Sequence, residues 1–312
     1  MTILLNTIVI LFSLIFLGYL IGKKGIIRPT CCPDLSTYLV NIALPVTVFC
    51  SMIRPFDTAL LTTGAQMFIA TILFHLGSFL LGFGIVKLLK VPALTAGSWI
   101  FACTFTNNGF MGFPLALSLY GQDGLFLMAV ANVVSNFLIF SLGAKLLTMH
   151  YPIENALDTK KMLLNNINLA VVLGLFFYFA QIPVPETIAT ILTYIGNTTV
   201  PLSMLVVGLS ISKSKVKDMF RDKTIYHLTL FRLLVIPFCV MLVFQILPFS
   251  SQSIIPAMMI LMAALPAASS ASLIAEQYGT NTQLAATAIF QTTLFSMLTI
   301  PLILGLMHLL GR

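Results

Sequence analysis

An interrupted apolar segment carries the residue types that could bind a small ligand. FTNNGFMGFPL, residues 105–115, places two adjacent amides, Asn107 and Asn108, beside Gly109 and Pro114. Proline lacks an N–H and clashes with the preceding turn, and glycine relaxes the backbone, so this pattern predicts a broken helix. The amide side chains next to the break could then donate hydrogen bonds to an anion.

A second interrupted segment, AALPAASSAS over residues 263–272, holds Pro266 among small residues. A broken helix in a bilayer is tolerated only inside protein or along a wet cavity. We expect the two breaks to cross near the bilayer midplane, with each proline at the first position of a half-helix. The positive ends of these half-helices suit a carboxylate, whereas unwound carbonyls suit a cation. A simple proline kink is the alternative in both segments.

The rest of the chain is strongly apolar. Hydrophobic residues make up 59% of it and charged residues 8%, against about 25% charged in soluble domains. Ten apolar runs are long enough for helices that span a bilayer core, and they lack the alternation of membrane strands. The predicted fold is therefore an all-α polytopic membrane protein. The runs are 3–22, 34–53, 59–86, 94–120, 125–148, 163–181, 186–211, 225–247, 253–277 and 283–309.

Basic residues predict the orientation of these runs. The net charge is +7, but the cations form short clusters between apolar runs, so we expect a membrane topology signal and no nucleic-acid partner. Thirteen of the sixteen Lys and Arg residues lie in the odd-numbered connections, while Arg54 and Arg312 lie on the other side. Both termini are therefore expected outside the cytoplasm of a multi-pass cell (inner) membrane protein.

A short phrase occurs once in each half of the chain. TYLVNIALP, residues 37–45, returns as TYIGNTTVP, residues 193–201, in the second run of each half. Five runs per half invert the second half relative to the first, which is a plan found in secondary transporters. We predict two inverted five-helix repeats, residues 1–148 and 163–312, joined by a cytoplasmic loop, residues 149–162, with broken, crossing helices 4 and 9.

Other polar residues in the apolar runs are further candidates, because such residues often mark ligand or ion pathways. They could line a central cavity, or they could serve only helix–helix hydrogen bonding, snorkelling or a structural histidine contact. A pair between Glu276 and Arg232 is also considered. The cavity candidates are Asn41, Asn197 and Asn132, and the coupling or gating candidates are Glu276, Arg232 and His75.

The interrupted segments resemble those of the auxin efflux carrier family, which includes plant auxin exporters and bacterial malate and malonate carriers. The first reads N-N-G-F-M-G-F-P from Asn107 to Pro114, then Leu115, with Tyr120 and Gly121 at the spacing of the plant Y-G. Residues 264–266 (A-L-P), 275–278 (A-E-Q-Y) and 232–237 (R-L-L-V-I-P) are similar to the corresponding family stretches. The ten runs and the cytoplasmic central loop fit the family along the whole chain.

This resemblance implies a secondary carrier of organic anions with crossing helices 4 and 9. The family asparagine that contacts the substrate carboxylate matches Asn107. A second family asparagine, in an N-P-N stretch, resembles Asn168, although N-I-N stands at residues 166–168 here. Asn41 has no counterpart in the plant motif, and the long plant loop is absent, so its regulation is not carried over.

We therefore expect a transporter that moves a small carboxylate by alternating access, and no enzyme activity or cofactor. The expected partners are the organic anion and the lipid bilayer, and a homodimer is left open. A sodium-coupled carrier or a cation/proton antiporter of related architecture is the alternative. A channel and an intramembrane enzyme are weaker alternatives, since the Asp-rich and H-E-x-x-H motifs of membrane enzymes are missing.

Overall fold

A computed structural model describes residues 2–151, 164–213, 223–247, 249 and 253–310, and these are almost entirely helical. Within them there is no β-strand, and a single isolated β-bridge joins two helix breaks. The α-helices are α1 Thr2–Lys23, α2 Cys32–Tyr38, α3 Leu44–Met52, α4 Thr58–Leu88, α5 Ala93–Thr104, α6 Phe113–Leu138, α7 Ala144–Thr148, α8 Asn166–Ala180, α9 Glu186–Asn197, α10 Thr199–Lys213, α11 Lys223–Leu230, α12 Ile236–Ile246, α13 Ile255–Ala264, α14 Ser270–Gln277 and α15 Thr282–Leu309.

Helix occupies every one of the ten predicted apolar runs. Seven helices in the described part of the chain are long and apolar enough to cross a membrane, and α5, α8 and α13 are shorter apolar helices. The count of ten spans stays a prediction. Gly121, at φ 64°, interrupts α6 and so separates the fourth and fifth runs. Most of the predicted connecting loop, residues 149–162, lies outside the described residues.

Large apolar side chains on the helices face outward, as a lipid-facing surface requires. Leu73 is 61% exposed, Val172 66%, Leu242 62% and Leu298 72%. A soluble monomer rarely exposes large apolar patches. The exposed apolar helices thus agree with a polytopic membrane protein.

The chain divides into two compact units, each of which draws on both halves of the sequence. The first unit comprises residues 1–67, 109–133 and 163–214, and the second comprises residues 68–108, 134–162 and 215–312. The units therefore do not follow the predicted repeat boundaries. A sequence repeat relates segments of equivalent structure, whereas a compact unit groups segments that pack together. The two divisions can therefore differ, and the prediction of two inverted repeats stays a prediction.

Close helix packing in the first unit depends on small residues. A Cβ on Gly18 of α1 would lie 2.4 Å from the carbonyl oxygen of Leu205, and one on Gly208 of α10 would lie 2.0 Å from that of Ile15. Only glycine allows the two backbones this approach, as is common in membrane helix pairs. Helix α1 thus packs on α10, and α8 packs reciprocally on α3.

The two copies of the repeated phrase contact each other within the first unit. Tyr38 Oη lies 3.3 Å from Thr198 Oγ1. Just after the first copy, Thr47 Oγ1 lies 2.6 Å from Thr199 Oγ1 and donates to the Gly196 carbonyl at 3.2 Å. The repeated phrase is therefore a packing element of this unit.

Four π-helical turns interrupt the described helices, and three of them end two residues before a proline. They span Leu39–Ala43, Asn108–Gly112, Ile139–Gly143 and Phe231–Val235, and the prolines are Pro45, Pro114 and Pro237. Proline lacks an N–H and its ring crowds the carbonyl four residues earlier. A wider turn relieves this crowding, and π turns recur at functional sites. Asn41, Asn108 and Arg232 each lie in one of these turns.

Candidate functional site at the paired helix breaks

Both interrupted segments form real breaks between helices. Helix α5 ends at Thr104, and Phe105 is extended at φ −106°, ψ 135°. Helix α13 ends at Ala264, and Leu265 is extended at φ −64°, ψ 150°. A residue that precedes proline is driven out of the helical region, which explains the conformation of Leu265 before Pro266.

The two breaks pair with each other inside the second unit. Thr106 and Ala267 form an antiparallel β-bridge. The Asn107 N–H donates to the Pro266 carbonyl oxygen at 2.9 Å, and the Ala268 N–H donates to the Phe105 carbonyl oxygen at 3.0 Å. These bonds satisfy backbone groups that the breaks remove from helices, which is necessary in an apolar interior. The expected meeting of the two broken helices is thus observed.

The prolines do not both mark the crossing, which corrects the sequence prediction. Pro266 lies in the break, but the next half-helix, α14, begins four residues later at Ser270. Pro114 is the second residue of α6, seven residues beyond the paired Asn107, and a π turn separates it from the break. The wider π turn accommodates Pro114, which has no N–H to donate, so this proline does not end a helix.

A buried polar network supports the break that follows α5. Thr106 Oγ1 donates to Asn108 Oδ1 at 2.6 Å, and Asn108 Nδ2 donates to Ser135 Oγ at 3.0 Å. The same Ser135 hydroxyl lies 2.8 Å from His75 Nε2, and His75 Nδ1 lies 3.0 Å from the Thr104 carbonyl oxygen. Because a carbonyl only accepts, Nδ1 carries the proton and donates to the end of α5. Both ring nitrogens of His75 therefore have partners in this network, as the structural alternative expects, and a coupling or gating role for His75 stays a prediction.

The opposite break is supported from two neighbouring helices. Arg232 Nη1 donates to the Ala263 carbonyl oxygen in the last turn of α13 at 2.7 Å. The Ala267 N–H donates to Thr292 Oγ1 of α15 at 3.2 Å. Cationic donors stabilise the carboxyl ends of helices, where carbonyls lack intrahelical partners. Each broken helix therefore has a nitrogen donor at the end of its first half, His75 for α5 and Arg232 for α13.

The predicted site residues fall into both units. The second unit holds the residues at or beside the paired breaks, which are Asn107, Asn108, Pro266, His75, Arg232 and Glu276. The first unit holds Gly109, Pro114, Asn41, Asn132, Asn168 and Asn197. Asn107 and Asn108 are only 7% and 2% exposed, so the break buries both adjacent amides.

The amides of the first unit differ in their surroundings. Asn132 is 4% exposed, and its Nδ2 has no hydrogen-bond partner among the described residues. Asn41 is exposed and accepts from Asn166 Nδ2 at 3.0 Å. The Asn168 N–H donates to Asn165 Oδ1, which caps α8. Exposed Asn197 lines a shallow groove of about 480 Å³ together with Tyr38, Thr198 and Pro201.

The suggested pair of Glu276 with Arg232 is not formed. Arg232 has 0% exposure, while Glu276 is exposed near the end of α14. The ion pair that the described residues do contain joins Arg54 to Asp123 at 2.6 Å, in the first unit. Full burial also excludes the snorkelling alternative for Arg232 in this structure, because its nitrogen is held by the end of α13 and not by a headgroup layer.

Hydroxyl residues that sequence reasoning passed over complete the site. Ser135, Thr104, Thr106 and Thr292 are all at most 2% exposed and take part in the bonds around the breaks. Ser135 directly precedes Asn136, one of the amides in the fifth run. A Ser or Thr in an apolar run is too common to single out, because its hydroxyl is usually satisfied by its own helix.

The comparisons with known proteins decide the family. The family described as membrane transport protein matches residues 3–154 and 154–304, which is almost the entire chain. The chain belongs to this family. It is the auxin efflux carrier-like family that the interrupted segments resemble, so the resemblance is confirmed.

Relatives across nearly the whole length carry transporter names. The chain is similar to an uncharacterized transporter of Methanocaldococcus jannaschii, 26% identical over 96% of this chain and 97% of the relative. An uncharacterized transporter of Methanothermobacter thermautotrophicus is 24% identical over 95% and 96%. A protein named "Putative malonate transporter" from Rhizobium meliloti is 23% identical over 96% and 93%.

Proposed function

We propose that this membrane transport protein carries a small carboxylate across the cell membrane by alternating access, and that the anion binds at the paired helix breaks. The observation that carries the proposal is the pairing of Asn107 with Pro266 at 2.9 Å, which buries two adjacent amides where two helices are interrupted. Amide and backbone N–H groups beside a helix start can hold a carboxylate without a permanent charge. The name of the Rhizobium meliloti relative favours a small organic acid.

Asn107 is the proposed first contact of the carboxylate, in agreement with the asparagine that it matches in the resembling family. Asn108 has a different role, because its side chain is engaged by Thr106 and Ser135 and so holds the start of the helix after the break. Asn132 is a further candidate in the first unit, since its buried Nδ2 lacks a partner in the described part of the chain. Asn41, Asn168 and Asn197 are retained as cavity candidates.

The proposal includes ten spans in two inverted repeats, with both termini outside the cytoplasm. The presence of helix in each predicted run and the reciprocal packing of α1 on α10 and of α8 on α3 support it. The paired breaks are internal to the second unit, so their backbone bonds can persist while that unit moves. Epitope tags on the two protein termini, probed in cells with an intact membrane, test the orientation. Tags that antibodies reach from outside agree with the proposal, and protection of both tags contradicts it.

The second candidate is a sodium-coupled carrier. Carbonyl oxygens released from helices at a break are suitable sodium ligands. At these breaks, however, the Phe105, Pro266 and Ala263 carbonyls already accept hydrogen bonds. The observation therefore favours an anion site over a cation site.

A binding screen of the purified protein separates the candidates. Melting temperature and scintillation proximity are measured with malonate, malate, lactate, indole acetate and bile acids, with and without sodium. A sodium-independent response to a small carboxylate supports the proposal. A response to sodium alone, or to a bile acid only with sodium, supports the second candidate. A protein that responds to none of the acids contradicts the carboxylate proposal.

A further inference from the structure

Arg232 is a buried cation at the paired breaks whose guanidinium is only partly used. It lies in the π turn Phe231–Val235 that precedes Pro237, and it has 0% exposure. Its Nη1 donates to the Ala263 carbonyl at 2.7 Å. Its Nε and Nη2 are buried and have no hydrogen-bond partner in the described part of the chain.

The two remaining nitrogens form the edge of the guanidinium that fits a carboxylate. Nε–H and the adjacent Nη2–H point in parallel, and this planar fork binds both oxygens of a carboxylate at once. Capping the end of α13 needs one donor, which Nη1 already supplies. The bond from Nη1 to the end of α13 therefore explains why a cation is present. It does not explain why Nε and Nη2 are buried without partners in the described part of the chain.

A buried charge of this kind needs compensation. Taking a guanidinium out of water is costly unless it is paired and hydrogen-bonded. Among the described residues no carboxylate forms an ion pair with it, and Glu276 is exposed. Arg232 interacts electrostatically with His75 and Cys103, neither of which is an acid that would neutralise it at neutral pH. An anion that arrives from outside the chain would supply the missing charge.

Arg232 and the proposed carboxylate contact at Asn107 both bond to the same broken segment, residues 263–266. Arg232 is bonded to the Ala263 carbonyl, and Asn107 is bonded to the Pro266 carbonyl. These carbonyls are three positions apart along the chain, so even a fully extended backbone holds them within about 11 Å. A small organic acid with two acidic groups can reach from one contact toward the other.

We propose that the Nε–Nη2 edge of Arg232 is a carboxylate-binding site for a second acidic group of the transported anion. This inference rests on the proposed function, because it assumes that a carboxylate already binds near Asn107. The protein then discriminates dicarboxylates from monocarboxylates of the same size. Discrimination is large when a buried polar group loses its partner in the wrong ligand.

The test compares malonate with its monomethyl ester on purified full-length protein, by equilibrium binding. The variant is Arg232→Lys, which keeps a positive charge and one donor for the Ala263 carbonyl but loses the fork. Arg54→Lys is the matched control, because Arg54 is ion-paired with Asp123 in the first unit. We expect wild type and Arg54→Lys to prefer malonate. Arg232→Lys should raise the malonate Kd roughly tenfold, with the ester Kd unchanged.

Each other outcome has a definite meaning. If Arg232→Lys binds malonate as wild type does, Arg232 is only a helix cap, and the proposed function stands without the inference. If the variant weakens malonate and ester equally, the assignment to the second carboxylate is wrong. If wild type binds neither acid nor any other carboxylate of the screen, the proposed function fails first. Should Arg232→Lys not fold, equal wild-type affinities for malonate and ester overturn the inference and a preference for malonate supports it.

Discussion

The backbone N–H of Asn107 donates to the carbonyl oxygen of Pro266 at 2.9 Å, so the two interrupted helices are joined at the residue that we propose as the carboxylate contact. The position of this asparagine depends on a break in a helix 159 residues away in the sequence. Both the binding residue and its support can therefore be tested by changing one break at a time.

The two prolines should differ in importance. Pro266→Ala frees Leu265 from its extended conformation and allows α13 to continue, which removes the pairing with Asn107. We expect transport to fall at least roughly tenfold, since small misplacements of binding groups are costly. Pro114→Ala acts beyond the crossing and should retain at least about half of the transport, because the pairing residues 105–107 are unchanged. Uptake into proteoliposomes, normalised to incorporated protein, measures both. Equal loss, or a larger loss at Pro114, would contradict our placement of the break.

The hydroxyl of Ser135 should be important for stability. Ser135→Ala removes a partner from Asn108 Nδ2 and from His75 Nε2, both buried. Leaving a buried polar group unsatisfied costs about 1–3 kcal/mol. We expect a lower melting temperature in detergent. Ser141→Ala is the control, because Ser141 only donates to the Phe137 carbonyl of its own helix at a more exposed position. An unchanged melting temperature for Ser135→Ala would show that the network does not hold the break.

Glycine at position 208 should be required for helix packing. A Cβ there would lie 2.0 Å from the Ile15 carbonyl oxygen, so Gly208→Ala must separate α1 from α10. Overpacking of this kind costs about 1–3 kcal/mol. We expect a lower melting temperature and a lower yield of folded protein. Gly305→Ala, in α15 with no atom within 4 Å of its added Cβ, should match or exceed wild type. Equal behaviour of the two variants would refute the close approach.

The fold class follows from the sequence because burial in lipid demands long apolar helices, and each predicted run indeed contains helix. The position of the first break does not follow, because the sequence predicts the break at Pro114, whereas a π turn accommodates this proline and the helix ends earlier, at Thr104. Whether a proline ends a helix or widens a turn depends on donors from elsewhere in the fold. Sequence spacing does not report these donors.

The candidate site was only partly predictable for a related reason. Asn107, Asn108 and Pro266 were identified, since amides and proline are rare in apolar runs. Ser135 and Thr292 were missed, because a hydroxyl residue in a helix gives no sign of bonding another segment. The charges of Arg232 and Glu276 allow a pair, yet burial of one and exposure of the other keep them apart.

The most direct measurement of the central claim is saturable counterflow of radiolabelled malonate in proteoliposomes, with wild type and Asn107→Ala compared. Asn6→Ala, at an exposed position of α1, serves as the control. We predict counterflow that saturates in wild type and in the control. In Asn107→Ala the half-saturating malonate concentration should rise roughly tenfold, because one charge-assisted hydrogen bond is lost. Flux that rises linearly without counterflow, or an Asn107→Ala protein that binds and exchanges malonate as wild type does, would contradict the account.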